Sequence, residues 1–414
     1  MSNFDDRRYT HFSSSIYDKI DHRLIQKTKT LDSVRDLSAI VYSSSDTIKG
    51  FKEHLEDFGA TIKYELPFMC ACAIEISSNQ IEEMARSEHV KYISDDVKTT
   101  TLLNIATQGV GASIVNRTGY KGEGVGIAIL DTGVYPHPDL IMPRSRIVAF
   151  KDFVNKKQSA YDDNGHGTFV AGAAAGNGYS SVGRYTGVAP MADIISVKVM
   201  NSKGEGNSSD ILAGMQWVVD NKERFNIKIM SLSLGSKAVG RAYSDPLAVA
   251  AGSVWNRGIT VIAAAGNSGP ESGTITTPGV NNKVITVGAV DDKRTVDIKD
   301  DTIAKFSSRG PVGRLGIKPD VVAPGVDIIS LNTDKSYISG MRPLTLREQY
   351  RKMSGTSVAT PIVSGAVALL LGKSPNLSPE QIKKRMLDSG RSLSADIYAQ
   401  GRGIIDVKKL LEIS

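Results

Sequence analysis

Ser357, His166, Asp131 and Asn267 are side chains whose types suit one reaction, the transfer of an acyl group to and from a hydroxyl. Ser357 lies in Met353-Ser-Gly-Thr-Ser-Val-Ala-Thr-Pro361, where a Gly-Thr turn delivers a hydroxyl to the head of the apolar run Pro361–Leu371. That run is hydrophobic nearly all round, which predicts a helix buried in a sizeable core. Ser357 then sits at the positive end of a helix dipole, where developing negative charge is stabilised. Pro361 is expected within the first turn, where N–H groups have no intrahelical partner. Taken alone, Ser357 reads as an ordinary N-cap.

His166 sits in Asp162-Asp-Asn-Gly-His-Gly-Thr168, between glycines that let another backbone approach closely. Of the six histidines, His11, His22, His54 and His89 fall in the first hundred residues, and His137 is wedged between Pro136 and Pro138 in what suits a rigid turn. A histidine base in the rest of the chain is therefore His166. Asp131 ends the run Val125–Leu130 and precedes Thr132-Gly133, as either a turn-former or an orienting acid. Asn267, in Ala263-Ala-Ala-Gly-Asn-Ser-Gly-Pro270, reads as a turn residue or as an amide that donates to an oxyanion beside the Ser357 N–H. The chemistry requires all four to converge.

Positioning them falls to an alternation of strand-like and helix-like runs. Strands are predicted at Val125–Leu130, Asp193–Met200, Ile227–Leu232, Ile259–Ala264 and Val284–Val290. Helices are predicted at His166–Ala175, Ser208–Asp220, Leu247–Arg257, Ser357–Leu371, Pro379–Asp388 and Asp406–Glu412, and Ser378-Pro-Glu-Gln381 is a capping box with proline at N1. Continuous apolar strands between helices predict an α/β fold with a mostly parallel sheet buried on both faces. Ligands in such sheets bind beyond the carboxyl ends of the strands, and Asp131 and Asn267 follow strands. The glycines of Gly122-Glu-Gly-Val-Gly126 precede a strand, whereas a phosphate loop follows one, which argues against a dinucleotide site.

Upstream, residues 1–36 are polar and charge-mixed, with a short helix near Tyr17–Gln26 and the character of a disordered extension. Residues 37–101 read as βαββαβ, a small α+β ferredoxin-like domain: a strand at Ser38–Ser43, a helix over Asp46–Phe58 closed by Gly59, strands at Thr61–Leu66 and Met69–Ile76, a helix at Asn79–Arg86 and a strand at Val90–Ser94. A Thr/Leu-rich link, Lys98–Asn104, leads into the main domain, 102–414.

Composition narrows the partners. With 41% hydrophobic and 23% charged residues in 414, the chain is of ordinary globular make-up. Net charge is +6, but residues 1–101 carry 13 Lys+Arg against 17 Asp+Glu (−4) and the remainder 37 against 27 (+10). Without a basic run, that excess does not suit nucleic acid, and opposite signs on two segments suit docking of one on the other. Strand alternation puts Phe68, Cys70, Cys72, Ile74 and Ile76 on one face, so Cys70 and Cys72 are expected as buried thiols rather than zinc ligands or a disulfide. No window approaches eighteen unbroken apolar residues, so no membrane partner is expected. Met1–Thr10 lacks the apolar stretch of a secretory signal, so cytoplasmic residence is expected.

Taken in chain order, Asp131-Thr-Gly, His166-Gly-Thr, Ala264-Ala-Gly-Asn-Ser-Gly269 and Gly355-Thr-Ser-Val-Ala-Thr-Pro361 resemble the subtilisin-like serine proteases, or subtilases, whose triad runs Asp, His, Ser. Val197-Lys-Val-Met200, Ser231-Leu-Ser-Leu-Gly235, Phe306-Ser-Ser-Arg-Gly-Pro311 and Lys318-Pro-Asp-Val-Val-Ala-Pro-Gly325 are similar too, and the cysteine-poor and, by expectation, unsecreted character is most like bacterial intracellular members of the AprX type. The resemblance implies a subtilisin-like three-layer fold and a serine endopeptidase acting on peptides or proteins through Asp131, His166 and Ser357, with Asn267 as oxyanion donor. It implies that Gly204-Glu205-Gly206 and Ser233-Leu234-Gly235 sandwich an extended substrate as an added strand. The βαββαβ unit takes the place of an inhibitory propeptide, released by autoprocessing between Lys98 and Asn104. Ser268 stands where many relatives carry Glu, which implies an apolar or neutral P1 residue. No cofactor is required for catalysis; a structural calcium has one matching carboxylate, Asp139, and the loop Gly176–Tyr185 lacks any other. The segment Leu331–Lys352 is longer than in relatives and is expected as a solvated insertion. The alternative to an enzyme is a catalytically silent member of the fold that serves as a binding or signalling module.

Overall fold

Apolar and β-branched residues between positions 36 and 95 pair in the order that their spacing predicts. In the computed structural model, which describes residues 16–21, 24, 25, 28, 36–96, 98–101, 110–237, 244–293, 295, 297–313, 316–341, 346 and 348–413, this stretch runs β1 (Asp36–Ser43), α1 (Phe51–Glu56), β2 (Thr61–Leu66), β3 (Ala71–Ser77), α2 (Ile81–Arg86) and β4 (Val90–Asp95). The strands form an antiparallel sheet in the order β2-β3-β1-β4. Val41, Cys72, Ile74 and Ile76 from the strands and Leu55 and Met84 from the helices share its core. Burial pushes the Cys72 thiol up to about 12, so it is an inert core side chain. Cys70 departs from expectation: Pro67–Met69 is a 3₁₀ turn and Cys70 has φ 51, so the strand face begins only after it and Cys70 is half-buried. The helix expected over Asp46–Phe58 is shortened to α1 because Gly50, at φ 74, turns the chain just before it. Of the helix expected near Tyr17–Gln26, Ile16–Lys19 forms a 3₁₀ turn; residues 1–15 and most of 22–35 lie outside the described residues.

The chain divides into two compact units, Met1–Asp96 and Val97–Ser414. Sequence assigned Lys98–Thr101 to the first domain. It belongs with the second unit because its backbone pairs there, as β5. The second unit continues with β6 (Gly126–Asp131), β7 (Ile147–Asp152), α3 (His166–Ala175), β8 (Asp193–Lys198), β9 (Glu205–Asn207), α4 (Ser208–Asp220), β10 (Ile227–Leu232), β11 (Leu234–Lys237), α5 (Pro246–Asn256) and β12 (Thr260–Ala264). Then come β13 (Thr276–Thr277), β14 (Ile285–Asp291), β15 (Thr302–Ile303), β16 (Val321–Pro324), β17 (Ile328–Leu331), β18 (Tyr350–Met353), α6 (Thr356–Lys373) and α7 (Pro379–Ser389). The last predicted helix shrinks to Val407–Leu410.

The main sheet has the order β15-β14-β12-β10-β6-β8-β7, with β16 also on β14. All pairs are parallel except β14 with β15. Successive strand residues face opposite sides, so complete burial of β6 and β12 means that both faces are covered. On them pack α6 with α3, and α4 with α5, giving three layers. The α6 helix is long and apolar enough to cross a membrane, but 89% of that window is buried here, as the core helix of this unit. It starts at Thr356, so Pro361 falls in the second turn rather than the first and removes the N–H that would face the Ser357 carbonyl.

Candidate active site

Three chain segments deliver the acid, the base and the hydroxyl to one point. Asp131 is the last residue of β6, His166 the first of α3 and Ser357 the second of α6. His166 Nδ1 lies 2.7 and 2.9 Å from the two Asp131 carboxylate oxygens, and its Nε2 lies 3.3 Å from Ser357 Oγ. All three residues are at most 1% exposed. The carboxylate fixes the proton on Nδ1, so Nε2 presents a lone pair to the hydroxyl. The 3.3 Å contact is at the long end of hydrogen-bond range, as such pairs often are before substrate binds. Two glycines make the convergence sterically feasible. A Cβ on Gly167 would sit 2.1 Å from Gly133 O and 3.1 Å from Asp131 Cβ, so the base loop touches the acid loop only because that residue is glycine. Gly355, at φ 149 and ψ 174, adopts a backbone conformation essentially reserved for glycine and turns the chain into α6.

The base loop is held by a residue that spacing did not single out. Asp162 is 1% exposed, and its Oδ1 accepts from Thr132 Oγ1, Asn164 N and Gly165 N at 2.9, 3.0 and 2.7 Å. Its Oδ2 accepts from Thr168 N and Thr168 Oγ1 at 2.9 and 2.7 Å. Thr132 Oγ1 in turn accepts from Gly167 N at 2.9 Å. The residue after the acid is thereby tied to the residue after the base. Asp162 forms a turn through these bonds, and the turn it forms aims His166.

Asn267 follows β12 and is oriented by the helix that carries the hydroxyl. Its Oδ1 accepts from Thr356 N at 2.9 Å and from Thr356 Oγ1 at 3.0 Å. A backbone N–H can only donate, so the oxygen must face Thr356 and the NH₂ end is left to turn elsewhere. Of the expected substrate edges, Glu205 and Gly206 pair with one side of β5 and Leu234 and Gly235 with the other, and Gly204 and Ser233 are their chain neighbours outside the pairing. Thr99 and Thr100 pair antiparallel with Gly206 and Glu205, while Thr100 and Thr101 pair antiparallel with Gly235 and Leu234. Residues 102–109, which include the end of the expected processing window, lie outside the described residues.

A family profile described as the subtilase family, Peptidase S8, matches residues 122–403. The chain belongs to the subtilase family. It is 44% identical over 345 residues to the serine protease AprX of Bacillus subtilis (strain 168), covering 80% of this chain and 77% of AprX. It is 32% identical over 350 residues to an alkaline protease of Shouchella clausii, covering 84% and 81% of the two chains. This subtilase is therefore a hydrolase of the serine peptidases. Among solved structures it resembles fervidolysin of Fervidobacterium pennivorans, a keratinolytic enzyme related to subtilisin, with a TM-score of 0.72 at 21% identity over 93% of this chain. It spans 62% of the fervidolysin chain, and the likeness concerns the fold.

Two further parts of this subtilase bear on expectations from its sequence, Asp139 and the segment Leu331–Lys352. Asp139 is fully buried, and its oxygens accept from the Tyr350 hydroxyl at 2.7 Å and from Ser180 N–H at 2.8 Å. A hard cation needs several oxygen ligands, and among the described residues no group of three or more His, Cys, Asp or Glu side chains gathers here while both Asp139 oxygens already accept hydrogen bonds, so these residues do not fit a calcium ion. Beside them His137, expected in a rigid turn, is the N-cap of the short helix Pro138–Ile141. Its Nδ1 accepts from Asp139 N–H and its Nε2 lies 3.0 Å from the Gln349 carbonyl, and burial lowers its pKa and keeps the ring neutral. The segment Leu331–Lys352 is solvated only in part: Lys335, Ser336, Ile338, Gly340 and Met341 are exposed, while its ends are tied down. Thr333 Oγ1 donates to Asp162 O at 3.3 Å, and Ser330 Oγ, just before the segment, donates to Phe169 O at 2.8 Å. With Tyr350 on Asp139, the β17–β18 hairpin is stitched to the base loop and to α3.

Proposed function

We propose that the chain is a serine endopeptidase made as a self-processing zymogen. The observation that carries this reading is the line Asp131–His166–Ser357 at hydrogen-bond spacing, with the Asn267 amide pinned beside it by Thr356. Ser357 Oγ attacks the scissile carbonyl while its proton passes to His166 Nε2, and Asp131 stabilises the imidazolium. The oxyanion is held by Asn267 Nδ2 and the Ser357 N–H at the head of α6. As the C–N bond breaks, His166 returns the proton to the amine, and water repeats the sequence on the acyl-enzyme.

Peptides bind as a strand between Gly204-Glu205-Gly206 and Ser233-Leu234-Gly235, the place β5 takes in this chain. The segment just after the βαββαβ unit thus lies where substrate would, which supports that unit as propeptide and cleavage between Lys98 and Asn104. A preference for apolar or neutral P1 residues is supported by Thr276. A Cβ on Gly235 would meet Thr276 Oγ1 at 2.8 Å and one on Gly266 would meet Thr276 Cγ2 at 2.6 Å, so two bare walls flank a neutral, nearly buried floor. No cofactor takes part, and the working place is the cytoplasm, which cell fractionation checks.

Labelling with a fluorophosphonate, compared between the natural chain and Ser357→Ala, tests the reading. Labelling confined to the natural chain, whose new N-terminus falls after a residue of 98–104 while Ser357→Ala stays intact, is expected. A processed chain without Ser357-dependent labelling would instead identify a silent binding or signalling module.

A further inference from the structure

Lys198, the last residue of β8, is a fully buried cation beside the triad that the reaction as derived does not use. Its ammonium donates to the Thr132 carbonyl at 2.6 Å, to Asp163 Oδ1 at 2.7 Å and to the Met200 carbonyl at 2.8 Å. An ammonium has three donors, and each is taken. Its Nζ also lies 5.1 Å from the centre of the Tyr161 ring. For stability alone an apolar residue would serve as well or better, because desolvating a charge offsets much of what pairing returns. The three acceptors define a different role. Thr132 follows the acid, Asp163 lies three residues before the base, and Met200 leads to the substrate edge at Gly204. In the sheet, Lys198 is the register partner of Asp131, whose carbonyl accepts from Val199 N at 2.9 Å and Met200 N at 3.2 Å.

We propose that Lys198 is a positioning residue for the peptidase reaction, locking acid loop, base loop and substrate edge into one register while its charge holds down the proton affinity of His166. The inference rests on the reading of Ser357 as nucleophile. Around His166 and Lys198 stand Asp131 on β6, Asp162 and Asp163 on the base loop, Tyr161 with its partner Asp152, and Arg351 on β18 against Asp162. All of these remain in Lys198→Met, which removes one positive charge and leaves the Asp163 carboxylate unpaired. Both changes favour the protonated imidazole. Catalysis needs the neutral ring, so the acid limb of kcat/KM moves to higher pH.

The test measures kcat, KM and the pH profile on a small chromogenic peptide for the natural chain, Lys198→Met, Lys198→Arg and Asp163→Asn, with thermal unfolding alongside. Lys198→Met is expected to lower kcat/KM about 10–100-fold, the scale of a 1 Å misplacement, and to raise the acid limb. Lys198→Arg keeps the charge but not the compact geometry, so kcat falls while the limb stays. Asp163→Asn removes a negative charge near His166 and moves the limb to lower pH, which keeps the test decisive if Lys198→Met does not fold. A folded Lys198→Met within twofold of the natural kcat/KM, or an unmoved limb in both Lys198→Met and Asp163→Asn, overturns the proposal. Absence of Ser357-dependent labelling in the natural chain would instead overturn the peptidase reading on which it rests.

Discussion

Replacing Asp162 by asparagine separates the aiming of the base from the presence of the base. The carboxylate meets donors on both sides: Thr132 Oγ1, Asn164 N and Gly165 N on Oδ1, and Thr168 N and Oγ1 on Oδ2. Asparagine keeps one oxygen and must turn its NH₂ towards one of these sets. The less costly choice is the Thr168 side, because that hydroxyl can rotate to accept and only one backbone N–H is left facing a donor. Losing a charge-assisted bond there and weakening those that remain should cost about 2–4 kcal/mol, at 1–3 kcal/mol for a buried group left without its partner. Asp162→Ala strands donors on both sides and is expected not to fold. The base loop of Asp162→Asn then relaxes by a fraction of an ångström to 1 Å, which lowers kcat about 10–100-fold. KM for a small substrate should barely move, because Asp162 touches no substrate edge. Urea unfolding gives the stability change and steady-state kinetics the other two values. A variant within 0.5 kcal/mol, about the noise of a neutral surface change, and with unchanged kcat would refute the assignment of Asp162 as the residue that aims His166.

Asn267→Ala should lower kcat about 10²–10³-fold, the figure measured for the corresponding donor in subtilisin, with KM nearly unchanged; an equal fall in affinity would point to substrate binding instead. Tyr350→Phe removes the hydroxyl from buried Asp139 and should cost about 1–3 kcal/mol, whereas a chelator should leave the melting temperature where it is. Stability lost to the chelator and recovered with calcium would contradict that pairing. Burial alone would raise the Asp320 pKa, but Lys318 and Lys383, whose ammonium groups lie 2.6 and 2.8 Å from its oxygens, hold it below the usual carboxylate value. A depressed acid stabilises the fold above its unfolded pKa of about 3.9 and loses that contribution as pH falls through its folded value. Asp320→Asn should therefore cost about 3–5 kcal/mol at neutral pH, with the gap to the natural chain closing below about pH 4 in urea titrations. A gap that does not vary with pH would show that the pair is not what Asp320 contributes.

The parts of this molecule legible in the sequence share a property: each is written by a period or a rare residue. Fully apolar runs such as Ile127–Leu130 name four buried parallel strands within a residue of their ends, but β8 stops two residues before the expected Met200, and β7 and β16 are not among the strands predicted. A capping box marks α7, and six histidines sorted by position leave His166. What stayed hidden is written in long-range polar pairing. The hairpin β17–β18 holds its place through Thr333, Gln349 and Tyr350, whose acceptors and donors on Asp162, His137 and Asp139 lie some 170 to 212 positions away. Lys98–Thr101 reads as a linker because its partners, Glu205–Asn207 and Leu234–Gly235, come more than a hundred residues later.

Asp162 marks the boundary between the two kinds of information. As a residue type it announces only a turn, and the same is true of Thr132 and Thr356. Their roles follow from who receives the other end of each hydrogen bond: Thr132 joins the acid loop to the base loop, and Thr356 fixes which end of Asn267 faces away from α6. The glycines supply the missing half of the argument. Gly167 is where the carbonyl of Gly133 arrives, so a glycine on each side of a lone histidine implies a second backbone close by, and a polar residue at that crossing is its fastener. A sequence offering a turn-forming Asp four residues before such a histidine therefore carries a recognisable sign of an aimed base, one stated by spacing and steric need rather than by residue type.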